Sequence, residues 1–269
     1  YVGSPHARAS TSCTTALHLA LLAVGVGPGD EVIVPAFTWV ATANVVEMCG
    51  ATPVFVDIDL ATFNIDVTAV EAAISARTKA IEPVHEFGLA ADLDPLLAIA
   101  ARHRLRVIED CACATGTLYH GRHVGTFGDA GCFSFHPRKA ITTGEGGMVT
   151  TADAGIARLV EVLRSHGAET SDLERHRSGG FALPEFNLLG FNYRMTDLQG
   201  ALGVEQMRRL PAVLAARRAV ANRYHEELAG LTALRLPVEP DGLGHVYQSY
   251  VTLVEDGHQT RDPAAAALA

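Results

Sequence analysis

The sequence has very little lysine. Of its 21 basic residues only Lys79 and Lys139 are lysines and the other 19 are arginines. Ordinary surface charge is therefore carried by guanidinium, and the two amines stand out. A positive balance is also lacking. The formal net charge is −9, with no basic stripe to neutralise phosphates, which argues against nucleic acid as a partner. Long hydrophobic runs are missing too. The longest, Ala16 to Val26, is about half a membrane span and contains His18, so no membrane partner is expected. No signal or transit pattern is visible. The G-x-x-x-x-G-K-[ST] pattern of a P-loop is absent, and no G-x-G-x-x-G follows the first strand, so a nicotinamide cofactor is unsupported. Cysteines are few and odd in number. Cys13, Cys49, Cys111, Cys113 and Cys132 read as free thiols in a reducing, cytoplasmic setting. The C-x-C pair Cys111/Cys113 has neither a second pair nor a histidine at ligand spacing, so no metal site is expected.

What is present describes a globular chain. It has 269 residues, 48% of them hydrophobic and 19% charged, enough for a sizeable core. Short runs rich in Val, Ile and Phe read as strands: "EVIVPAF" (31–37), "TPVFVDI" (52–58), "KAIEPV" (79–84), "RVIEDC" (106–111), "AGCFSFH" (130–136) and "GGMVTT" (146–151). Helical patterns lie between them, over Thr14–Val24, Trp39–Cys49, Val67–Ser75, Asp94–His103 and Ala154–Ser165. Continuous apolar strands alternating with helices predict an α/β fold, a mainly parallel sheet with helices on both faces. A long Arg- and Ala-rich helix follows from Thr196 to Leu228, with an interruption expected at Pro211. Residues 1–230 read as a large domain and 231–269 as the beginning of a smaller C-terminal one. The chain starts at Tyr1 without Met and stops in "DPAAAALA", so residues are expected to be missing on both sides.

In such sheets the ligand site lies at the carboxyl ends of the strands. That brings Pro35–Trp39, Glu109–Cys113 and Ser134–Lys139 to one rim. Lys139 is an amine, able to form an imine with an aldehyde, and Arg138 beside it is not. Alone it reads equally well as surface charge. The stretch "STSCTTALHLAL" (10–21) opens a helix whose free amides suit a phosphate, although plain capping explains it too. Asp110 ends a strand where a carboxylate could hold a protonated ring nitrogen or merely cap a turn. Trp39 is the only tryptophan and follows a strand end, suited to cover a flat ring or to fill a core. Taken together these groups complement an aldehyde, a phosphate, a pyridine nitrogen and a ring face. Pyridoxal 5′-phosphate (PLP) carries all four.

Six ordered blocks, "TSCTTALHLAL", "GPGDEVIVPAFTWVATAN", "GATPVFVDID", "VIEDCACATG", "GDAGCFSFHPRKAITTGEGGMVTT" and "GFNYRMTDLQGALG", make the chain resemble the DegT/DnrJ/EryC1/StrS family of PLP-dependent sugar aminotransferases. That family lies within the fold-type-I, aspartate aminotransferase-like superfamily, and the resemblance runs from about Ser10 to Tyr250. It implies that residues 1–230 bind PLP. Lys139 would form the imine with the cofactor and shuttle the proton, and Asp110 would pair with the pyridinium nitrogen. The amides of Cys13 and Thr14 and the hydroxyl of Ser134 would hold the phosphate, and Trp39 would stack on the ring. Asn192 would reach the cofactor phosphate of a neighbouring subunit, which implies a homodimer with shared sites. Arg194 would take the carboxylate of the amino donor. Cys13 stands where Gly or Ala is usual, and Cys113 where a Gln that contacts the ring oxygen is common.

The function implied is transfer of an amino group from L-glutamate, or glutamine, to a keto sugar, a nucleotide-linked keto-deoxyhexose. The family also holds dehydratases with His in place of the lysine, and Lys139 argues against that class. A PLP-binding regulatory protein without turnover, or a plain α/β binding module, are the alternatives.

Overall fold

A computed structural model describes residues 1–169 and 185–255, together with 257, 261, 262 and 266. Strand β1 (His6–Ser10) leads into helix α1 (Cys13–Ala23), followed by β2 (Glu31–Pro35), α2 (Ala41–Met48) and β3 (Thr52–Val56). Next come a short helix α3 (Val67–Val70), continued by a 3-10 turn over Glu71–Ala73, then β4 (Thr78–Ile81), α4 (Leu93–His103) and β5 (Arg106–Cys111). A hairpin of β6 (Leu118–Tyr119) and β7 (Arg122–His123) precedes β8 (Ala130–Ser134), β9 (Gly147–Thr151) and α5 (Ala154–Leu163).

The main sheet has seven strands in the order β1-β9-β8-β5-β4-β2-β3. From β3 to β8 all neighbours run parallel. β9 returns antiparallel beside β8, and β1 runs antiparallel beside β9. The mainly parallel expectation holds, and the structure adds β1, which the sequence reading left unassigned. Its burial is incomplete, as befits an edge strand.

Both faces of the sheet are covered, which is why β2 is buried at every position. One core layer packs α1, α2 and α5 onto Val32, Val34, Ala80, Ile108 and Cys132. The other packs α3 and α4 onto Ile33, Ile81 and Val107. A third cluster, with Cys111, Phe133 and Leu210, sits under the strand-end loops. Because successive residues of a strand point to opposite faces, odd and even positions of β2, β4 and β5 feed different layers.

The long C-terminal helix corrects the reading at Pro211. Helix α6 runs unbroken over Asp197–Leu228, opened by a Thr196/Gln199 capping box. A proline inside a helix removes a hydrogen bond and costs about 3 kcal/mol. Here the flanking Leu210 is fully buried and Leu214 packs against the same cluster, and that burial outweighs the local cost. The short helix is corrected as well: α3 ends at Val70 rather than at Ser75.

Past α6, β10 (Leu234–Arg235) and β12 (Leu253–Val254) form an antiparallel pair, and β11 (Leu243–Gly244) joins β6. Val246 and Gln248 donate their amides to Gly88 and Phe87, so this segment lies against the loop after β4. Of residues 231–269, expected to open a small domain, 256, 258–260, 263–265 and 267–269 lie outside the described residues. Among the described residues no helix is long and apolar enough to cross a membrane.

Candidate active site

The rim expected at the strand ends exists, and its centre is Asp110. This carboxylate is 4% exposed, accepts from the Thr42 hydroxyl of α2 at 3.1 Å and from the Ala112 amide at 2.9 Å. Thr42 is in turn bonded to Thr38 at 2.9 Å, tying the end of β2 to the end of β5. Burial pushes the Asp110 carboxyl up in pKa, opposed by the Ala112 amide, the Thr42 hydroxyl and Lys139. A buried carboxylate in this position gains most from a cation placed against it.

Lys139 lies in the turn after β8, its amide donating to the His136 carbonyl at 2.9 Å. Its Nζ reaches the end of β5 and donates to Cys113 Sγ at 3.2 Å. Burial raises the Cys113 thiol pKa while the Lys139 charge lowers it, and the net shift is upward. Cys113 therefore stays a thiol and serves as a soft acceptor for the amine.

The start of α1 forms the third part. Ser12 caps it, accepting from Thr15, and Thr15 returns a bond to the Ser12 amide. The amides of Cys13 and Thr14 find no acceptor among the described residues, as expected of the first turn of a helix. Cys13 Sγ donates to the Cys132 carbonyl of β8 at 3.5 Å, so its side chain packs inward and only its amide is offered. Ser134, 5% exposed, ends β8 close by and accepts weakly from the His136 amide at 3.4 Å. Gly147 of β9 permits this approach: a Cβ there would stand 2.2 Å from the Ser12 carbonyl oxygen and 2.7 Å from the Cys13 nitrogen. Gly147→Ala is expected to lower the unfolding free energy by about 1–3 kcal/mol through overpacking. It should also weaken PLP uptake, because the displacement falls on the Cys13 amide. Denaturant melts and a cofactor titration check both.

The structure therefore joins Lys139, Cys113, Asp110 and the free start of α1. Trp39 lies on the same rim but is 73% exposed, and α2 begins at Ala41 rather than at Trp39 as expected. Asn192 and Arg194 are exposed, with no side-chain hydrogen bond to these groups among the described residues. Their backbone is pinned near the α1 start, since Tyr193 receives the Thr11 amide at 3.0 Å.

Three further acidic groups have no role of their own in the sequence-based expectations. Glu109 is fully buried and accepts from the amides of Gly125, Phe127 and Gly128 and from His85 Nε2. His85 Nδ1 takes the Ala91 amide, which makes Nε2 the donor. Cys111 lies within ligand distance of this pair, but the carboxylate and the imidazole are already engaged in hydrogen bonds. Glu82 is fully buried with neither oxygen hydrogen-bonded among the described residues, and burial, with Asp110, raises its pKa well above the usual carboxylate range. Glu86 is 6% exposed with Oε1 unpartnered, its pKa pushed up to about 8 by burial and by Asp110. The signal was on view in "KAIEPVHEFG", two glutamates inside an apolar run.

A mainly parallel seven-stranded sheet, with a lysine, a buried aspartate and a free helix start at one rim, is the scaffold of the fold-type-I transferases. The family model of the DegT/DnrJ/EryC1/StrS aminotransferase family matches residues 1–269, and the chain belongs to that family. It is 50% identical to the GDP-perosamine synthase of Caulobacter vibrioides over 231 residues, 86% of this chain and 60% of that protein. It is 45% identical to the UDP-N-acetyl-3-dehydro-alpha-D-glucosamine 3-aminotransferase of Acidithiobacillus ferrooxidans over 249 residues, 92% of this chain and 64% of the relative. Among solved structures, S. venezuelae DesV in complex with a ketimine intermediate superposes with a TM-score of 0.90 at 35% identity, covering 99% of this chain and 69% of DesV. The PLP form of Spr1654 from Streptococcus pneumoniae gives 0.89 at 31% identity, covering 99% of this chain and 72% of Spr1654. The chain thus spans 60% and 64% of the length of these two curated relatives.

Proposed function

We propose that this chain carries the cofactor site of a PLP-dependent aminotransferase that moves an amino group from L-glutamate, or glutamine, to a nucleotide-linked keto sugar. The observation that carries it is the Lys139 amine, drawn to the end of β5 beside buried Asp110, with the unpaired α1 amides at the same rim. These residues fit PLP. The Cys13 and Thr14 amides, with the Ser134 hydroxyl, would hold its phosphate at the positive end of the helix. Asp110 would keep the proton on its ring nitrogen, and Trp39 would cover the ring. Bound there, the cofactor supplies an electron sink and carries the amino group between donor and acceptor. Lys139 Nζ would carry the proton at the reacting carbon, as a general base and then a general acid.

The substrate class follows from relatives whose names specify a GDP-linked and a UDP-linked sugar product or substrate. A homodimer with shared sites is part of the reading. Asn192 would reach the partner's cofactor phosphate, Arg194 would receive the donor carboxylate, and exposed Leu198 and Trp39 offer apolar surface to a second copy. All five cysteines are unpaired, which suits a reducing, cytoplasmic compartment. Residues 1–230 would form the large domain and 231–269 the start of the small one.

Borohydride reduction of the PLP-loaded protein followed by peptide mapping tests the assignment. The chain has only two lysines, so the result is unambiguous. Label on Lys139 is expected; label on Lys79 alone, or none, would sink the proposal.

A further inference from the structure

We infer that Glu86 is a proton-holding residue of the cofactor pocket that donates a hydrogen bond to the ring oxygen of PLP; this rests on the PLP reading above. The order of the sheet sets which way the ring would face. Strand β5, with Asp110, lies between β8 on one side and β4 on the other. The phosphate groups all come from the β8 side, from Ser134 and from α1. In PLP the phosphate arm and the ring oxygen leave opposite edges of the ring, with the ring nitrogen at one end and the aldehyde carbon at the other. A ring held by Asp110 at its nitrogen, by Lys139 at its aldehyde and by α1 at its phosphate therefore turns its oxygen toward the β4 side. The chain that follows β4 there is the turn Glu86–Gly88.

The state of the Glu86 side chain fits the same role. It is buried at 6% exposure, Oε1 has no partner, and Asp110, Lys139 and Cys113 all act on it or feel its charge. Thr38 and the Phe87 backbone hydrogen-bond to the carboxyl, but its burial beside Asp110 outweighs them, raising its pKa to about 8 and favouring the protonated form. A neutral carboxyl has an O–H to donate and, at Oε1, no partner among the described residues, which suits an anionic ring oxygen. Cys113 offers that oxygen only the weak S–H of a thiol, whereas a carboxyl O–H is a strong donor. The turn is held still: the Glu86 amide donates to Asn64 Oδ1 at 2.9 Å, and the Phe87 carbonyl receives the Gln248 amide at 2.8 Å. Thr38 also faces the carboxyl and lowers its pKa. His245 lines the adjoining cleft, and with burial drawing its pKa down to about 4 it adds no charge.

A donor on the ring oxygen withdraws negative charge that would otherwise help hold the proton of the lysine–cofactor linkage. The test is the pH titration of the visible cofactor band in the PLP-loaded protein, read for wild type, Glu86→Gln and Glu86→Leu. Glu86→Leu, which has no donor, is expected to raise the midpoint by about one pH unit, a tenfold change in proton affinity. Glu86→Gln keeps an N–H donor and should stay within about 0.3 units of wild type. A folded, coloured Glu86→Leu protein with an unchanged midpoint overturns the inference. Should that variant not fold, wild type is still expected to show a second spectral step as Glu86 ionises, absent in Glu86→Gln, and coincident curves would overturn it. A colourless protein that takes up no PLP overturns both this inference and the function proposed above, whereas a coloured one indifferent to Glu86 overturns this inference alone.

Discussion

Lys139→Ala is expected to abolish transamination, with kcat/KM falling by at least about 10⁴-fold, while the protein stays folded and still binds PLP. The size follows from the two tasks given to one amine. It is the nucleophile that takes the aldehyde and the base that relocates the proton, and proton transfer alone contributes about 10² to 10⁴ in rate. Stability should barely change, because the single described hydrogen bond of Nζ goes to the Cys113 thiol on a partly exposed turn. PLP should still bind, since the phosphate groups and Asp110 are untouched. Lys139→Arg separates chemistry from charge: it restores a cation at the site but not an amine, and should be as inactive as the alanine variant. Single-turnover spectra with glutamate, set beside circular dichroism, decide the matter. Measurable turnover in either variant would count against Lys139 as the reacting amine.

Glu109→Ala is expected to cost at least about 4 kcal/mol of folding free energy, measured by denaturant unfolding. The carboxylate is the hub of the loop between β7 and β8. Its removal strands the amides of Gly125, Phe127 and Gly128 and the His85 Nε2 donor in a dry interior. Each buried polar group left unsatisfied costs about 1–3 kcal/mol, and four are involved here. Gly125 and Gly128 cannot easily move to find other partners, because Phe133 and the Val107 backbone already press against them. Burial alone would raise the Glu109 pKa, but His85 and the amides outweigh it and hold the group below the usual carboxylate range. A depressed folded-state pKa makes the contribution complete above the unfolded carboxyl value and loses it as pH falls through the folded one. Acid unfolding of Glu109→Gln should therefore lack this component. An unfolding free energy equal to wild type in Glu109→Ala would refute the account.

Much of the architecture was legible because it rests on local pattern. The run "RVIEDC" coincides with β5, and "STSCTTALHLAL" opened α1 with its cap in place. Apolar continuity and an N-cap are properties of neighbouring residues, so one dimension is enough to read them. Lys139, Asp110 and Cys113 were legible for another reason. Strand ends of a parallel sheet share one rim, so naming the strands names the residues that meet. Pro211 was misread because its local cost is plain in sequence while the burial of Leu210 that offsets it is not.

Glu86 and Glu82 mark the boundary most sharply. Each stood in the sequence as a charged residue in an apolar run, and nothing local said whether it faced water. Strand order decided that, by setting the chain after β4 beside Asp110, where burial raises the pKa of a carboxyl. The sequence by itself determined the α/β class, the strand-end rim and the amine with its neighbouring acid, because periodicity and residue chemistry need no third dimension. Only the tertiary structure decided which acids have their pKa raised, which helix amides stay unpaired and which edge of the rim Glu86 occupies. Burial, and the charges brought within a few ångströms, belong to the packed molecule rather than to any stretch of chain.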